Sequence, residues 1–332
     1  MKLKKEYLIL LLIIVVLSVY LTTRSKNQTH FDLPQPAEVD GQKINRLVIA
    51  KGDRSIELSK KDDRWYIGPK AYLADSVKVK NMVKAVADLA ITDLISESGN
   101  YERYDLTDAQ KINVRAFVDG QMVRNFDVGK SAPTNQHTFA RLADDPKVYH
   151  ARGHLNTTFD RTAEDLRDLT VLSFEKNDIT SVTVQKGDQS LTLAKKAPLA
   201  EPKEQPEESD KQAEQKQAPV QPQAKWEDPQ GQAVDQPAVE RLLSDFSNLK
   251  CSRFLEDNAA ENLKTKAPLW TLTFKGGKET YSLSAFDKPD AAATEFDALS
   301  SAGPYAFTLT KSKIEAVEKQ VDKLLNRAPK AE

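Results

Sequence analysis

The spacing of apolar residues changes along the chain, and each spacing predicts an element. Between residues 47 and 58 apolar and polar residues alternate, and this period of two is typical of half-buried strands. Lys51-Gly52-Asp53 interrupts the alternation with residues that favour a tight turn, so the segment predicts a β-hairpin. Arg64–Ile67 predicts a third strand. From Asp75 to Ala90 apolar residues recur every third or fourth position, which predicts an amphipathic helix.

The same two spacings predict the remaining elements. In the first half they predict a second hairpin, two further strands and a helical tail, at Asn113–Val118 with Met122–Val128, Thr138–Leu142, Lys147–Ala151 and around Leu155–Leu169. In the second half they predict a hairpin, a helix, a second hairpin, a late strand and a closing helix, at Val182–Leu193, Asp235–Leu249, Trp270–Phe274 with Thr280–Leu283, Tyr305–Leu309 and Lys313–Leu325. Because helices do not alternate regularly with these strands, we predict an α+β fold.

The chain contains one segment twice. Ile44–Lys61 and Ile179–Lys196 align without a gap, and eight of the aligned positions are identical, including the Lys-Gly-Asp turn. Further matches in the same order pair Trp65 with Trp226, Asp75 with Asp235, Leu94 with Phe254, and Ile112, Phe117 and Gly120 with Leu269, Phe274 and Gly277. We therefore predict tandem duplicated modules at residues 44–178 and 179–327. Each is expected to be an antiparallel sheet packed against one main amphipathic helix.

The second copy carries an insertion before its tryptophan. Residues 197–225 contain five prolines, no glycine and no aromatic residue. Such a segment buries too little apolar surface to offset its ordering entropy, so we predict that it is disordered. Residues 27–43 are expected to form a linker before the first module, and residues 328–332 a tail.

Residues 1–26 have the pattern of a membrane anchor. A basic start, MKLKK, precedes an apolar run from Tyr7 to Leu21. Extended to Thr23, a helix would be about 26 Å long at roughly 1.5 Å per residue, near the lower limit for a span. No small-residue cleavage pattern follows, which favours an uncleaved signal-anchor over a cleaved signal peptide. The preceding lysines favour a cytoplasmic amino terminus, although Arg24 and Lys26 oppose this orientation.

Composition excludes some classes of protein. The chain has 48 basic and 49 acidic residues and a formal net charge of −1, so we predict no general attraction to nucleic acid. Cys251 is the only cysteine, so no intramolecular disulfide can form. We interpret Cys251 as a small buried residue. About 300 residues follow the anchor, enough for two domains that each bury a core.

Two motifs with possible ligands are incomplete. Val128-Gly129-Lys130-Ser131 ends like a phosphate-binding loop, but Arg124 stands where that motif requires a glycine, and the segment closes a strand. His150 and His154 have a spacing that brings metal ligands together only on a helix, and neither a cysteine nor a well-placed carboxylate completes a set. We interpret both histidines as surface residues, and His137 and His30 as isolated.

The other polar candidates have simpler explanations. The pairs Asp62-Asp63 and Asp144-Asp145 flank turns, where aspartate is favoured for backbone reasons. Trp65 and Trp226 are expected to fill the two cores, with ligand stacking as the alternative. Asn27 and Asn156 begin glycosylation sequons. We therefore predict no catalytic, cofactor-binding or metal-binding residue.

Four segments together resemble one bacterial family. They are the doubled hairpin of the type INRLVIAKGDRSIELSKKDDRWYI, the helix after it, DVGK after the second hairpin, and KVYHAR before a helical tail. They resemble the family known only as a domain of unknown function, DUF4340, over roughly Ile44 to Arg327. The resemblance implies a membrane-anchored protein of the bacterial envelope, because members are typically anchored there and many are encoded near components of ABC-type transport systems. It transfers no site residue.

Three functions are compatible with this sequence. The favoured one is a non-enzymatic accessory or interaction component of a membrane complex, such as an ABC-type transporter, in the bacterial inner membrane. Such a protein would cross the membrane once, with its carboxyl-terminal bulk in the periplasm and a protein partner in the envelope. The alternatives are a periplasmic binding module for a glycan or peptide, held in a cleft between the copies, and a hydrolase with an unrecognised site.

Overall fold

The computed structural model describes residues 5–24, 33–196, 225–288 and 292–326. Beyond the amino-terminal helix α1 (Lys5–Arg24), the chain divides into two compact units between Asp168 and Leu169. Within the residues that the structure describes, no helix has the length and apolar content that crossing a membrane requires. The signal-anchor stays a prediction. Lys225, the last residue of the segment predicted to be disordered, lies in a strand instead. Residues 197–224 of that segment, the sequon at Asn27, His30 and the tail at 328–332 lie outside the described residues.

The first unit is built around one nine-stranded antiparallel sheet. Its strands are β1 (Arg46–Lys51), β2 (Arg54–Lys61), β3 (Arg64–Ile67), β4 (Tyr72–Leu73), β5 (Ile91–Ser96), β6 (Ile112–Val118), β7 (Gln121–Ser131), β8 (His137–Leu142) and β9 (Val148–Arg152), and its helices are α2 (Ser76–Ala87), α3 (Leu155–Phe159) and α4 (Ala163–Leu166). The strand order is β4-β3-β2-β1-β6-β7-β8-β9-β5. Helix α2 buries Val79, Met82 and Val86 in the main core of this unit.

The second unit has an eight-stranded antiparallel sheet and a separate strand pair. Its strands are β10 (Thr170–Ser173), β11 (Ser181–Lys186), β12 (Gln189–Lys196), β13 (Lys225–Glu227), β14 (Asn248–Lys250), β15 (Arg253–Phe254), β16 (Trp270–Lys275), β17 (Thr280–Ala285), β18 (Glu295–Ser300) and β19 (Phe307–Thr310), and its helices are α5 (Gln236–Phe246), α6 (Ala259–Lys264) and α7 (Lys311–Leu325). The sheet order is β13-β12-β11-β16-β17-β18-β19-β15, and β10 pairs with β14. Helices α5 and α7 pack together.

The two sheets share one strand order. Eight consecutive strands of the first sheet, β3-β2-β1-β6-β7-β8-β9-β5, correspond one to one with the eight strands of the second. The register agrees as well, because Leu47 lies opposite Leu58 in β1 and β2, and Val182 lies opposite Leu193 in β11 and β12. The prediction of antiparallel sheets with few helices is confirmed.

The register corrects the last block of sequence matches, in which Ile112 was matched with Leu269 but corresponds to Trp270. Phe117 was matched with Phe274, but β1 pairs Leu47 with Ala116, whereas β11 pairs Val182 with Phe274. Since Leu47 and Val182 are equivalent, Ala116 is the counterpart of Phe274, and both are fully buried. Side chains alternate between the faces of a strand, so the match of one phenylalanine with another displaced the alignment by one residue and exchanged the faces.

Both main helices begin within one residue of the predicted start and end earlier than predicted. The Asp75 carboxylate accepts hydrogen bonds from the backbone N–H groups of Val77 and Lys78 at 3.0 and 3.1 Å, and Asp235 accepts one from Ala238. Helix α2 ends at Ala87 and α5 at Phe246. The apolar residues beyond these ends, such as Leu249, are buried from extended chain, which the helical spacing did not distinguish from a further turn.

The helical tail and Trp65 also depart from prediction, whereas Trp226 agrees with it. The tail around Leu155–Leu169 is two short helices, α3 and α4, because Thr162 caps a new helix at this point. Trp226 is fully buried, as predicted, and its indole N–H faces Glu240 Oε1 at 3.4 Å. Trp65 is only partly buried against the core of the first unit.

Candidate functional site

The strands of the first sheet sort apolar and polar residues onto two faces. On one face, next to α2, the strands bury Phe126, Val128, Ala140 and Tyr149 in the main core. The residues between them point the other way, because side chains alternate along a strand. That second face carries a smaller apolar cluster of Tyr104, Leu106, Ala132, Phe139 and Val148. It also carries Asp93, Asp127, His137, Arg141 and His150, and is called the polar face below.

Asp127 is the buried centre of this face. It lies opposite Arg141 in the β7–β8 pair, and its Oδ2 accepts hydrogen bonds from Arg141 Nε at 3.0 Å and Nη2 at 2.5 Å. Asn113 Nδ2 donates to Oδ1 at 2.9 Å, and Lys111 Nζ lies 3.5 Å from Oδ2. The carboxylate side chain is 4% exposed. Both oxygens are therefore engaged inside the fold.

Arg141 joins Asp127 to the residues that cover the polar face. Its guanidinium lies over the Tyr101 ring, 4.6 Å from the centroid. Burial lowers the pKa of Arg141, but its hydrogen bond and ion pair with Asp127 more than reverse this and raise the pKa above its usual value. In the second unit the same two strand positions hold Ser284 and Leu299. The ion network thus belongs to the first unit alone among these paired positions.

The histidine cluster, Asp93, His137 and His150, lies beside this network. The rings of His137 and His150 stack with centroids 5.4 Å apart, and His150 Nδ1 lies 3.6 Å from Asp93 Oδ2. Burial is the largest influence on His150 and lowers its pKa; Asp93 raises that pKa and His137 lowers it further.

His150 and His154 are four residues apart in the sequence, but His150 lies in β9 and His154 lies outside that strand, so the two do not share one element. His154 precedes α3, and its carbonyl oxygen accepts hydrogen bonds from Thr157 and Thr158. His137, interpreted from sequence as isolated, is the partner instead, because β8 and β9 pair Phe139 with His150. Both strands, β8 and β9, were predicted. Pairing them as a hairpin across the turn before Pro146 would therefore have predicted the contact between His137 and His150. Within the described ranges, no three histidine, cysteine or acidic residues are placed to hold a metal ion.

The histidine cluster has a charged counterpart in the second unit. Asp93 lies opposite His150 in β5 and β9, and Arg253 lies opposite Thr308 in β15 and β19. By the same register, the counterpart of His137 is Glu295. Its Oε2 accepts hydrogen bonds from Arg253 Nε at 3.1 Å and from Thr308 Oγ1 at 2.8 Å. In each sheet, therefore, a polar cluster at the same three positions links the edge strand to its neighbours. The residue types at these positions differ between the two sheets.

Gly129 allows β7 to pack closely against the segment around Tyr104. It lies within β7, where an added Cβ would sit 2.1 Å from the carbonyl oxygen of Tyr104 and 3.0 Å from Leu106 Cγ. The chain therefore requires glycine for the close approach of two backbone segments. The carbonyl oxygen of Gly129 also accepts a hydrogen bond from Asn156 Nδ2 at 2.9 Å, so the amide of the second sequon is engaged.

The remaining candidates lie where the turns and core require them. Asp62 and Asp63 form the β2–β3 turn with positive φ angles of 49° and 59°, a conformation that aspartate tolerates. In the β8–β9 turn, Asp145 accepts hydrogen bonds from the Tyr149 hydroxyl at 2.5 Å and the Lys147 N–H at 2.9 Å. Cys251 is buried, as predicted.

Comparison with known proteins finds one family. The model of a family described as "Domain of unknown function (DUF4340)" matches residues 66–268, well over half of the chain. The matched region begins in β3 and ends just before β16. No curated protein and no solved structure matches the chain.

Proposed function

Because the chain belongs to the DUF4340 family, we propose that it is a non-enzymatic, membrane-anchored protein of the bacterial envelope. It acts as an accessory or interaction component of a membrane complex, for example an ABC-type transport complex. The observation that carries this proposal is the construction of the polar face. Both oxygens of Asp127, the most deeply buried carboxylate among the described residues, accept hydrogen bonds from neighbouring side chains. A general base needs an oxygen that can reach a substrate proton. Asp127 therefore suits a structural role in a protein that binds partners.

The duplication extends this proposal to the architecture. We attribute the shared strand order and register to the copying of one ancestral unit, each copy being an antiparallel sheet with a main amphipathic helix. Positions that differ in chemistry on this common frame, such as Asp127 and Ser284, are where the copies have specialised. Two like units in one chain offer two related surfaces to a partner, which raises avidity when both engage.

The amino-terminal helix supports the anchored location. In α1 the large apolar side chains from Leu11 to Tyr20 are between 48% and 66% exposed. A continuous apolar helix is costly to leave in water, and a bilayer or an apolar partner removes that cost. Together with the basic residues that precede it in the sequence, this helix supports the proposal that the two units lie in the periplasm, behind a single pass through the inner membrane.

Recovery of partners from membranes tests this function. The full-length chain, tagged at its carboxyl end and purified from detergent-solubilised membranes, is expected to bring down integral membrane proteins. A matched chain in which an unrelated single-pass helix replaces residues 1–26 is expected to recover the same proteins, because the units make the contacts. Recovery of no integral protein, or loss of every partner with the replaced helix, would argue against this function.

A second candidate is a periplasmic binding module for a peptide or glycan. A groove of about 460 Å³ on the first unit favours it, because the groove reaches a buried arginine. Binding of an isolated ligand and binding of a membrane partner are separable, since only the second requires other membrane proteins in the sample.

A further inference from the structure

Arg124 in β7 is a buried cation without an ion-pair partner among the described residues. The residue is 8% exposed, and its Nη2 donates to the carbonyl oxygen of Ala37 at 2.7 Å. Its Nε is buried and has no hydrogen-bond partner. Burial lowers the pKa of Arg124, which reflects the cost of keeping the charge away from water. By contrast, Arg141 in the same sheet is less deeply buried, with its side chain 20% exposed, and has Asp127 as its partner.

The fold itself does not require a guanidinium at this position. Arg124 lies opposite Ala116 in β6 and β7, and Tyr281 lies opposite Phe274 in β16 and β17. Because Ala116 and Phe274 are equivalent, Tyr281 is the counterpart of Arg124. Its ring lies 5.4 Å from that of Phe174, so the second unit covers the same place with aromatic packing. The two units share this register, and the presence of arginine at this position in the first unit is a chemical difference between them.

Arg124 lies in a groove with a mixed apolar and polar lining. The groove has a volume of about 460 Å³, and its apolar lining includes Pro34, Pro36, Met122 and Leu142. Met122 is 55% exposed, so an apolar side chain is available at the mouth. Two acids also line the groove. Asp145 is occupied by Tyr149 and Lys147, and Asp144 is exposed.

We infer that Arg124 binds a carboxylate on a segment of a protein partner, with an adjacent apolar side chain of that segment against Met122 and Leu142. A carboxylate accepts two parallel hydrogen bonds from a guanidinium, and one that enters the groove would meet the guanidinium of Arg124, which lines it. A phosphate also fits a guanidinium. Its second negative charge, however, is opposed more strongly by Asp144 and Asp145 than the single charge of a carboxylate. The groove therefore favours an acidic peptide segment over a lipid phosphate.

This inference rests on the proposed function, since it names the chemistry of the partner. The two can fail separately in the membrane pull-down. If the wild-type chain and an Arg124→Met variant recover the same partners in equal amounts, the carboxylate site is wrong and the proposed function stands. If neither recovers an integral protein, the proposed function fails, and the measurement below still decides whether Arg124 binds carboxylates.

Matched small probes test the site directly in the full-length chain. N-acetyl-leucine carries a carboxylate beside an apolar side chain, and N-acetyl-leucinamide has the same shape without the charge. With ¹⁵N-arginine labelling in detergent, millimolar N-acetyl-leucine is expected to shift the Nε–H resonance of Arg124, and the amide is expected to leave it in place. Arg124→Lys assigns that resonance by its loss and retains the charge. Its affinity for the acid, followed by thermal shift, should fall at least about tenfold because a lysine cannot pair bidentately.

Three results would overturn the inference. One is no shift of the Arg124 resonance with the acid, and another is an equal shift with the amide. The third is a stronger response to inorganic phosphate or to phosphatidylglycerol vesicles than to the acid, which would assign the groove to phosphate.

Arg124→Met is expected to fold with an unchanged or higher melting temperature, since removing an unpaired buried charge relieves its cost. A large fall in melting temperature would instead make Arg124 a structural residue.

Discussion

Replacing Gly129 by alanine is expected to destabilise the first unit by about 3 kcal/mol or more, at or beyond the upper end of overpacking costs. The added methyl group would lie 2.1 Å from the carbonyl oxygen of Tyr104. That oxygen belongs to the backbone, so relief requires β7 and the segment around Tyr104 to separate. Separation would also disturb the smaller apolar cluster, which contains Tyr104 and Leu106.

Chemical denaturation of the full-length chain, with hydrogen exchange to assign the loss to the first unit, measures this effect. Gly277→Ala is the matched control, because a Cβ added at Gly277 would have no atom within 4 Å and the φ of this residue is not positive. We expect the control to change stability by no more than about 0.5 kcal/mol. A Gly129→Ala protein as stable as the control would contradict the close packing described here.

The second large effect is expected at Asp127. Asp127→Ser should destabilise the first unit by about 2–4 kcal/mol, because it leaves Arg141 and Lys111 near a buried position without their shared counter-ion. These two side chains are each 20% exposed and can move partly into water, which places the expected loss below that of a fully buried pair.

The second unit supplies the control for this substitution. Asp127→Ser with Arg141→Leu reproduces the Ser284–Leu299 pair that the same register holds there. Removing the orphaned arginine is expected to restore at least half of the lost stability, and Lys111 keeps Asp108 as a partner at 2.7 Å. Urea midpoints of the single and double variants measure this coupling. A double variant less stable than the single one would mean that Arg141 contributes mainly through its packing on Tyr101.

Local features of the fold were predictable from the sequence. The paired turns at Gly52 and Gly187 both have φ of 56°, as the Lys-Gly-Asp pattern predicts, and the two main helices begin directly after Asp75 and Asp235, where the helical spacing begins. These features depend on residues that are neighbours in the chain. Strand β5 was missed because its polar and apolar residues alternate weakly, and it forms an edge through pairing with the distant β9.

The polar face shows why its residues could not be found from the sequence. Asp127 and Arg141 meet only because β7 and β8 pair in one particular register, and the chain between them gives no local signal for it. The burial of Arg124 likewise depends on Ala37, far away in the sequence. The sequence interpreted His150 as a surface residue and His137 as isolated, because spacing within one element does not show that pairing between β8 and β9 stacks the two rings.

We propose that two like units lie outside a membrane behind one amino-terminal anchor. Reporter fusion to the carboxyl end of the full-length chain tests it most directly, with alkaline phosphatase as a reporter active only in the periplasm and a fluorescent protein that matures only in the cytosol. We predict active phosphatase, no fluorescence, and a chain that stays with membranes after alkaline extraction. A fluorescent fusion with inactive phosphatase, or release of the chain by alkali, would contradict the account.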